Sequence, residues 1–313
     1  MVIEPTPRCA ACGKTLTTAV QSRVHDPWFE TPGTFQYLGC SQPECGTLVQ
    51  HPPPASDLLD AAYAHYFTHA EAPLGPLGRV RRLFRGSRRL RALHLPAVPD
   101  GLVLDIGCGD GSDMSQLRDI GWDVVGIDND PVARRVAADR GLEVYADLDE
   151  LPAELRPTVV LLRHVVEHVA NPVVFLQRLR RHVAASSRVV LVTPNALSFG
   201  RRAFGRWWRG YDAPRHLQIF TPNGLVLVAQ RAGYEVWSVR TGASSIGGLE
   251  SESLILFGTR AGLPWTAAYL AGRVNGFLLG LAFLILNRLD RGRRGEEIFL
   301  HMSPARGSVR STV

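Results

Sequence analysis

The residues best suited to chemistry begin with Leu102-Val-Leu-Asp-Ile-Gly-Cys-Gly-Asp-Gly111, an apolar run that ends in an acid and then carries glycines at alternate positions. Glycine lets the backbone turn sharply and come close to a ligand, and a helix starting there leaves its first N–H groups free. The spacing is G-x-G-x-G, whereas a dinucleotide pyrophosphate calls for G-x-G-x-x-G. A second apolar run, Val124-Val-Gly-Ile127, ends in Asp128, 17 residues beyond Gly111. At the end of a second strand such an acid accepts hydrogen bonds from ribose hydroxyls. The alternative role for Asp128 is a helix cap, which Asp130 can fill instead.

Four of the five cysteines lie in the first 45 residues, as Cys9-Ala-Ala-Cys12 and Cys40-Ser-Gln-Pro-Glu-Cys45, each pair followed by a glycine. Two close pairs separated by 27 residues suit one tetrahedral zinc held by Cys9, Cys12, Cys40 and Cys45; free buried cysteines are the other reading. Met1–Ala10 has no apolar core and does not read as a secretory signal, so a cytoplasmic protein is expected, in which clustered cysteines bind metal before they form disulfides. Histidine is the side chain best matched to proton removal near neutrality. His164-Val-Val-Glu-His168 spells the H-x-x-E-H of one zinc protease group, but it follows a buried strand within an α/β alternation. A helix is expected to hold both histidines on one face beside Glu167.

The surrounding elements must place these groups. Strands are expected at Leu102–Ile106, Asp123–Ile127, Glu143–Tyr145, Thr158–Leu162, Arg188–Thr193, Tyr234–Arg240 and Glu297–Met302. Helices are expected at Ser112–Ile120, Pro131–Arg140, from the fourth strand to about Val183, and at Pro222–Ala232. Such alternation predicts a mostly parallel sheet of seven strands covered on both faces. The length of 313 residues suits a large domain plus a small module. We expect a zinc-binding module over 1–54, a helical basic linker over 55–99, the main domain over 100–304 and a frayed tail over 305–313. Within the linker, Asp57 to about Ala70 reads as a helix and Arg79–Leu93 as a basic stretch with apolar residues interleaved.

From Gly101 to Asn195 the chain resembles a class I S-adenosylmethionine-dependent methyltransferase, of the branch that holds ubiquinone-type and sugar methyltransferases. The resemblance rests on Leu104–Gly111, Asp128, Ala146-Asp-Leu148, His164-Val-Val-Glu-His-Val-Ala-Asn-Pro172 and Thr193-Pro-Asn195, with Pro214-Arg-His216 and Phe220-Thr221 downstream. It implies a Rossmann-like fold. It also implies a cofactor site drawn from Asp105, Gly107, Gly109, Gly111, Asp128, Asn129, Asp147, Leu148 and His164. The acid at Asp147 would meet the adenine amino group. The N-terminal cysteines are similar to the zinc segment that precedes some sugar methyltransferases. Two departures stand out: Ala184-Ala-Ser-Ser187 replaces a Pro-Gly-Gly turn, and Arg163 occupies a place where a smaller residue is usual.

Methyl transfer from a sulfonium needs an aligned acceptor and, for a hydroxyl, a base; His168 and His216 are the candidates. Phe204-Gly-Arg-Trp-Trp-Arg-Gly-Tyr211 offers aromatic faces for a ring and arginines for phosphate or carboxylate. A sugar, glycan or lipid-linked acceptor is therefore expected; a packed lid is the bland reading of the same stretch. The net charge is +6, almost all from arginine because Lys14 is the only lysine. An RNA methyltransferase and a catalytically silent cofactor-binding module are the alternatives, and the motifs of common RNA-binding modules are absent. The helical insertion at 249–294 contains Val274–Leu286, thirteen residues with Asn275 as the one polar side chain, short of the roughly 20 that a spanning helix needs. Rimmed by Arg288, Arg291, Arg293 and Arg294, it suggests peripheral contact with the inner face of a membrane. Capping the core or forming a homodimer would also use it.

Overall fold

The computed structural model describes residues 7–26, 31–64, 101–243 and 248–305. The basic stretch Arg79–Leu93 and most of the tail lie outside the described residues.

Three strands open the chain: β1 (Leu16–Val24), β2 (Phe35–Cys40) and β3 (Leu48–Gln50). Helix α1 (Ser56–Tyr63) follows. The alternating region then runs β4 (Leu102–Ile106), α2 (Ser112–Asp119), β5 (Asp123–Ile127), α3 (Pro131–Asp139), β6 (Glu143–Tyr145), β7 (Val159–Arg163), α4 (Pro172–Leu179) and β8 (Arg188–Pro194). After it come α5 (Phe199–Phe204), β9 (Gln218–Ile219), α6 (Pro222–Arg231) and β10 (Tyr234–Gly242). Helices α7 (Gly248–Arg260) and α8 (Trp265–Leu289) precede the last strand, β11 (Glu297–Pro304).

The large sheet has seven strands in the order β10-β11-β8-β7-β4-β5-β6. Strands β8, β7, β4, β5 and β6 are parallel, and β11 is antiparallel to both of its neighbours. The central strands have apolar side chains on both faces. Leu104, Val160 and Leu162 pack toward Leu176 and Leu225, while Val103, Leu161 and Val190 pack toward Leu117 and Phe299. Burial on both faces explains why these strands read as unbroken apolar runs. The chain builds β4, β5 and β6 toward one edge and then returns to β7 on the other side of β4. Such a reversal leaves a crevice at the carboxyl ends of the strands, where α/β folds bind ligands.

A second sheet has the order β1-β2-β3-β9. Its fourth strand comes from the main domain, with Leu48 opposite Ile219, so the first 50 residues are joined to the core by backbone pairing.

Two local expectations need correction. The residues after β7 do not form one helix. Val166–His168 make a single 3-10 turn, and α4 begins at Pro172, capped by the Asn171 side chain. His164, with φ of 54°, turns the chain into the left-handed region, which breaks any helical run. The apolar insertion is also longer than its uncharged stretch: α8 has 25 residues and includes Arg273. A charge ends a hydropathy window but not a helix. Among the described residues, α8 is the helix long and apolar enough to cross a membrane by length and composition. It packs antiparallel on α7, where a Cβ on Gly276 would meet Ser251 Oγ at 2.3 Å. Its opposite face leaves Leu270, Val274, Phe277, Leu278, Leu281 and Ile285 exposed.

Candidate active site

The glycine loop follows β4 directly. Gly107, Gly109 and Gly111 all have positive φ, 72°, 55° and 71°, a region that costs other residues energy. Space excludes side chains as well: a Cβ on Gly107 would meet Val165 at 2.7 Å, and one on Gly111 would meet Leu142 at 2.3 Å. The N–H groups of Gly107 and Cys108 both donate to Ile127 O, which ties the loop to β5. Asp128, at the end of β5, is buried and accepts from Gly109 N at 2.7 Å and Asp130 N at 3.0 Å. Burial raises its carboxyl above the ordinary value. Asp130 caps α3 by accepting from Val132 N. Asp128 therefore does not cap that helix; its carboxylate faces the glycine loop.

Asp105 is buried, and its Oδ2 accepts from Arg163 Nη2 at 3.0 Å. The other terminal nitrogen of Arg163 binds Asp113 in the first turn of α2. Arg163, noted in the sequence only as a departure, is thus the cation that balances the acid before the glycine loop. Register made this legible: Asp105 is opposite Leu161, so Arg163 lies two residues further along the same face. Asn129 and Asp147 are exposed and Leu148 is buried. The Asp147 carboxylate caps the following turn through Asp149 N and pairs with Arg178 at 2.6 Å. The backbone hydrogen bond from Asp149 holds it below its ordinary value.

The histidines gather around Glu167. His164 Nδ1 lies 3.2 Å from Glu167 Oε1, and its Nε2 lies 3.0 Å from Glu297 Oε1. Burial disfavours the imidazolium, but the two carboxylates outweigh it and raise His164 to about 9. Glu167 is fully buried, also accepts from Thr193 Oγ1, and is held at about 2 against its burial by His164. Expected near the cofactor, His164 has both ring nitrogens engaged by carboxylates.

His168 and His216 meet edge to face, with ring centroids 4.7 Å apart. His216 Nδ1 donates to Gly210 O at 2.8 Å, which leaves Nε2 as the acceptor in the neutral ring. Burial, then the neighbouring His168, lower His216 to about 4. His168 Nδ1 is within hydrogen-bonding distance of both Tyr63 Oη, 2.9 Å, and Arg215 O, 3.1 Å. Burial lowers its pKa too. The two candidate bases are therefore neutral near pH 7, and a neutral imidazole is what proton removal requires. Tyr63, on α1, is a contact that no sequence motif marked.

The Pro214-Arg-His216 segment is held by a buried ion network. Arg215 is fully buried and binds Asp26 at 2.8 Å and Asp212 at 2.6 Å. Tyr37 Oη donates to the carbonyls of Tyr211 and His216. Nearby is a small cleft lined by His25, Arg206, Trp207, Tyr211, Leu256 and Arg260 among others. Asp212, also lining it, lies 3.9 Å from His216 Nε2. The aromatic and arginine residues expected over an acceptor thus line a cleft one side chain away from the histidines. Helix α7 contributes to it, which the sequence pattern did not indicate.

The four N-terminal cysteine sulfurs lie within 4.8 Å of one another, with Cys9–Cys45 at 3.8 Å and Cys12–Cys40 at 3.3 Å. Tetrahedral zinc with Zn–S bonds of about 2.3 Å sets its sulfurs about 3.8 Å apart. Gly13 and Gly46 both have positive φ, as turns that fold back over thiolates require. The donor set and its spacing fit the metal.

A seven-stranded, mostly parallel sheet with an antiparallel strand inserted next to its edge, carrying an acid–glycine loop and a second acid at its switch point, defines a Rossmann-like class I methyltransferase. Residues 79–239 match the family described as "Methyltransferase domain". The chain belongs to this family of S-adenosylmethionine-dependent methyltransferases. It is 34% identical over 160 residues to the ubiquinone biosynthesis O-methyltransferase of Cereibacter sphaeroides, covering 46% of this chain and 65% of that protein. It is 33% identical to the one from Azorhizobium caulinodans, covering 50% and 66%. The chain thus spans just under two thirds of these relatives. A solved S-adenosylmethionine-dependent methyltransferase from Archaeoglobus fulgidus shares 19% identity at a TM-score of 0.47, covering 71% of this chain and 94% of that one.

Proposed function

We propose that this protein transfers a methyl group from S-adenosylmethionine to a hydroxyl of a lipid-linked sugar or ring acceptor at a membrane surface. The observation that carries the reading is the glycine loop with Asp128 in the switch-point crevice, on the same carboxyl edge as the Glu167, His168 and His216 cluster. The sulfonium supplies an activated methyl whose bond electrons leave with the sulfur. The chain's own residues do the rest. Asp128 and the glycine-loop backbone hold the adenosyl half, with Leu148 and Asp147 at its base edge. His168, or His216 through Nε2, accepts the hydroxyl proton as the new C–O bond forms. Trp207 and Tyr211 give the acceptor ring a face, and Arg206 and Arg260 give an anionic group its counter-charge. Cys9, Cys12, Cys40 and Cys45 hold a structural zinc.

Support for the membrane comes from the α7–α8 hairpin, which lines the acceptor cleft through Leu256 and Arg260. The same hairpin exposes an apolar face beside exposed Arg260, Arg288, Arg291 and Arg293. Apolar surface rimmed by arginine suits an anionic bilayer. We assign the protein to the cytoplasmic side, docked through α8.

The test is transfer of labelled methyl to fractionated cell extract. Label in a lipid-extractable acceptor supports the reading; label in RNA, or none despite binding of S-adenosylhomocysteine, overturns it. Loss of turnover in H168A or H216A with binding retained would identify the base. Sedimentation with anionic vesicles should fail after Leu270→Glu with Phe277→Glu. A dimer that ignores vesicles would assign the α8 face to a second copy instead.

A further inference from the structure

We propose that Tyr63 is the positioning residue of a His168 base: with the Arg215 carbonyl it holds the imidazole proton on Nδ1 and leaves Nε2 to take the proton of the acceptor hydroxyl. The assignment rests on the methyltransferase reading above and deepens it by choosing between the two histidines.

The two rings are not equivalent. His216 is 5% exposed and lowered to about 4, a weak base at neutral pH, since proton transfer is most efficient when the base titrates near the working pH. His168 is half-buried. The titratable and charged groups around it are Glu167, Asp212, His164, His216 and Tyr63. Burial lowers its pKa, while the Glu167 and Asp212 carboxylates act in the opposite direction. Glu167 is itself committed, Oε1 to His164 and Oε2 to Thr193, so it reaches His168 through its field and leaves Nε2 of that ring open.

Two oxygens fix the other side of the His168 ring: Tyr63 Oη lies 2.9 Å and Arg215 O 3.1 Å from Nδ1. A carbonyl only accepts, so Nδ1 carries the proton and Nε2 keeps its lone pair; a phenol hydroxyl accepts as well as donates, so Tyr63 shares the same N–H. When Nε2 gains a proton the ring becomes a cation, and a hydrogen bond made to the charged form favours it. Tyr63 thus strengthens the base from the far side of the ring. Its place is set by the same arginine, whose Nη1 donates to Ala62 O at 3.2 Å, one residue before Tyr63. Helix α1 has eight residues and no side-chain cap, too little to persist without such contacts. In the reaction the hydroxyl proton passes to Nε2, the freed oxygen pair bonds the methyl carbon, the C–S electrons leave with the sulfur, and the Nδ1 proton stays where it is.

The experiment is NMR of the full chain with heavy nitrogen in its histidines, on the wild type and Y63F, with H168Q used to identify the His168 signals. In the wild type near neutrality, Nδ1 should be the protonated nitrogen and Nε2 the bare one. A proton on Nε2 overturns the assignment, and that measurement needs no variant to fold. Y63F keeps the aromatic ring and removes the hydroxyl. The His168 pKa should then fall by about 0.5 to 1, while S-adenosylhomocysteine affinity stays within about twofold. The acid limb of methyl transfer to fractionated extract reports the base and should move down by the same amount, with the plateau rate falling about 3–10-fold. An unmoved titration overturns the assignment, and so does a titration that moves while the acid limb stays. A wild-type protein that binds S-adenosylhomocysteine yet methylates no fraction removes the reaction itself, an outcome distinct from an active enzyme whose acid limb ignores Tyr63.

Discussion

Replacing Arg215 by methionine removes the cation that joins the N-terminal strands to the segment carrying His216. In the folded protein its guanidinium reaches Asp26 at 2.8 and 3.0 Å and Asp212 at 3.2 and 2.6 Å. Both acids are buried, so the change strands charge in a site that water does not enter. The losses are unequal. Asp212 keeps Arg209 at 2.7 Å, and Asp26 keeps the Thr31 hydroxyl, a neutral donor. Removing one partner of a buried ion pair costs about 3–5 kcal/mol, and the remaining Arg209 contact puts the expected value near the lower end. Urea unfolding at pH 7 should show a loss of about 3 kcal/mol, and thermal unfolding a drop of roughly 6–12 °C. If stranded charge is the cause, R215M/D26N should recover part of the loss, because an amide is cheaper to bury than a carboxylate. A loss under about 1 kcal/mol, or no recovery in the double variant, would refute the view that Arg215 holds the two parts together by charge.

Gly111→Ala combines a φ of 71° with a Cβ placed 2.3 Å from Leu142; a stability loss of at least about 2 kcal/mol, with loss of S-adenosylhomocysteine binding, is expected in urea unfolding and calorimetry, and unchanged values would sink the loop argument. His164 is raised to about 9 in the fold from about 6.5 unfolded. Its contribution is therefore complete below about pH 6.5 and fades as pH rises through about 9. Urea midpoints across that window should fall more in the wild type than in H164Q, and parallel profiles would remove the ion pair with Glu167 and Glu297. Metal analysis should find one zinc per chain, lost in Cys12→Ser with a lower thermal midpoint; a chain with no zinc and an unchanged midpoint would leave the cysteines as packing residues.

The sheet was legible in the sequence because its central strands are buried on both faces, so Val159–Leu162 and Val189–Val192 read as strands without help from their neighbours. The glycine loop was legible for a different reason: positive φ and close contact with Val165 and Leu142 leave room for glycine alone. The turn after β7 was not. Its conformation is set by His164 in the left-handed region, held by carboxylates from two separate places in the chain, and no periodicity carries that information. Arg163 was visible only as an exception, since its partner Asp105 becomes a neighbour through strand register. Tyr63 beside His168, Leu256 beside the aromatic cleft and Asp26 beside Arg215 are long-range pairings. They come from how layers stack, which a single sequence does not spell out.

The short strand β9 has a consequence for how the chain is made. The N-terminal strands leave the ribosome first, yet their sheet lacks its last member until Gln218 and Ile219 are synthesised. The guanidinium that neutralises Asp26 arrives only with Arg215. Pairings so distant in sequence close slowly. During synthesis the cysteine knuckles must therefore be held together by their own metal or left open while most of the methyltransferase sheet forms, and the N-terminal piece cut free at residue 54 would be a sheet with an unfinished edge, prone to pair with another copy.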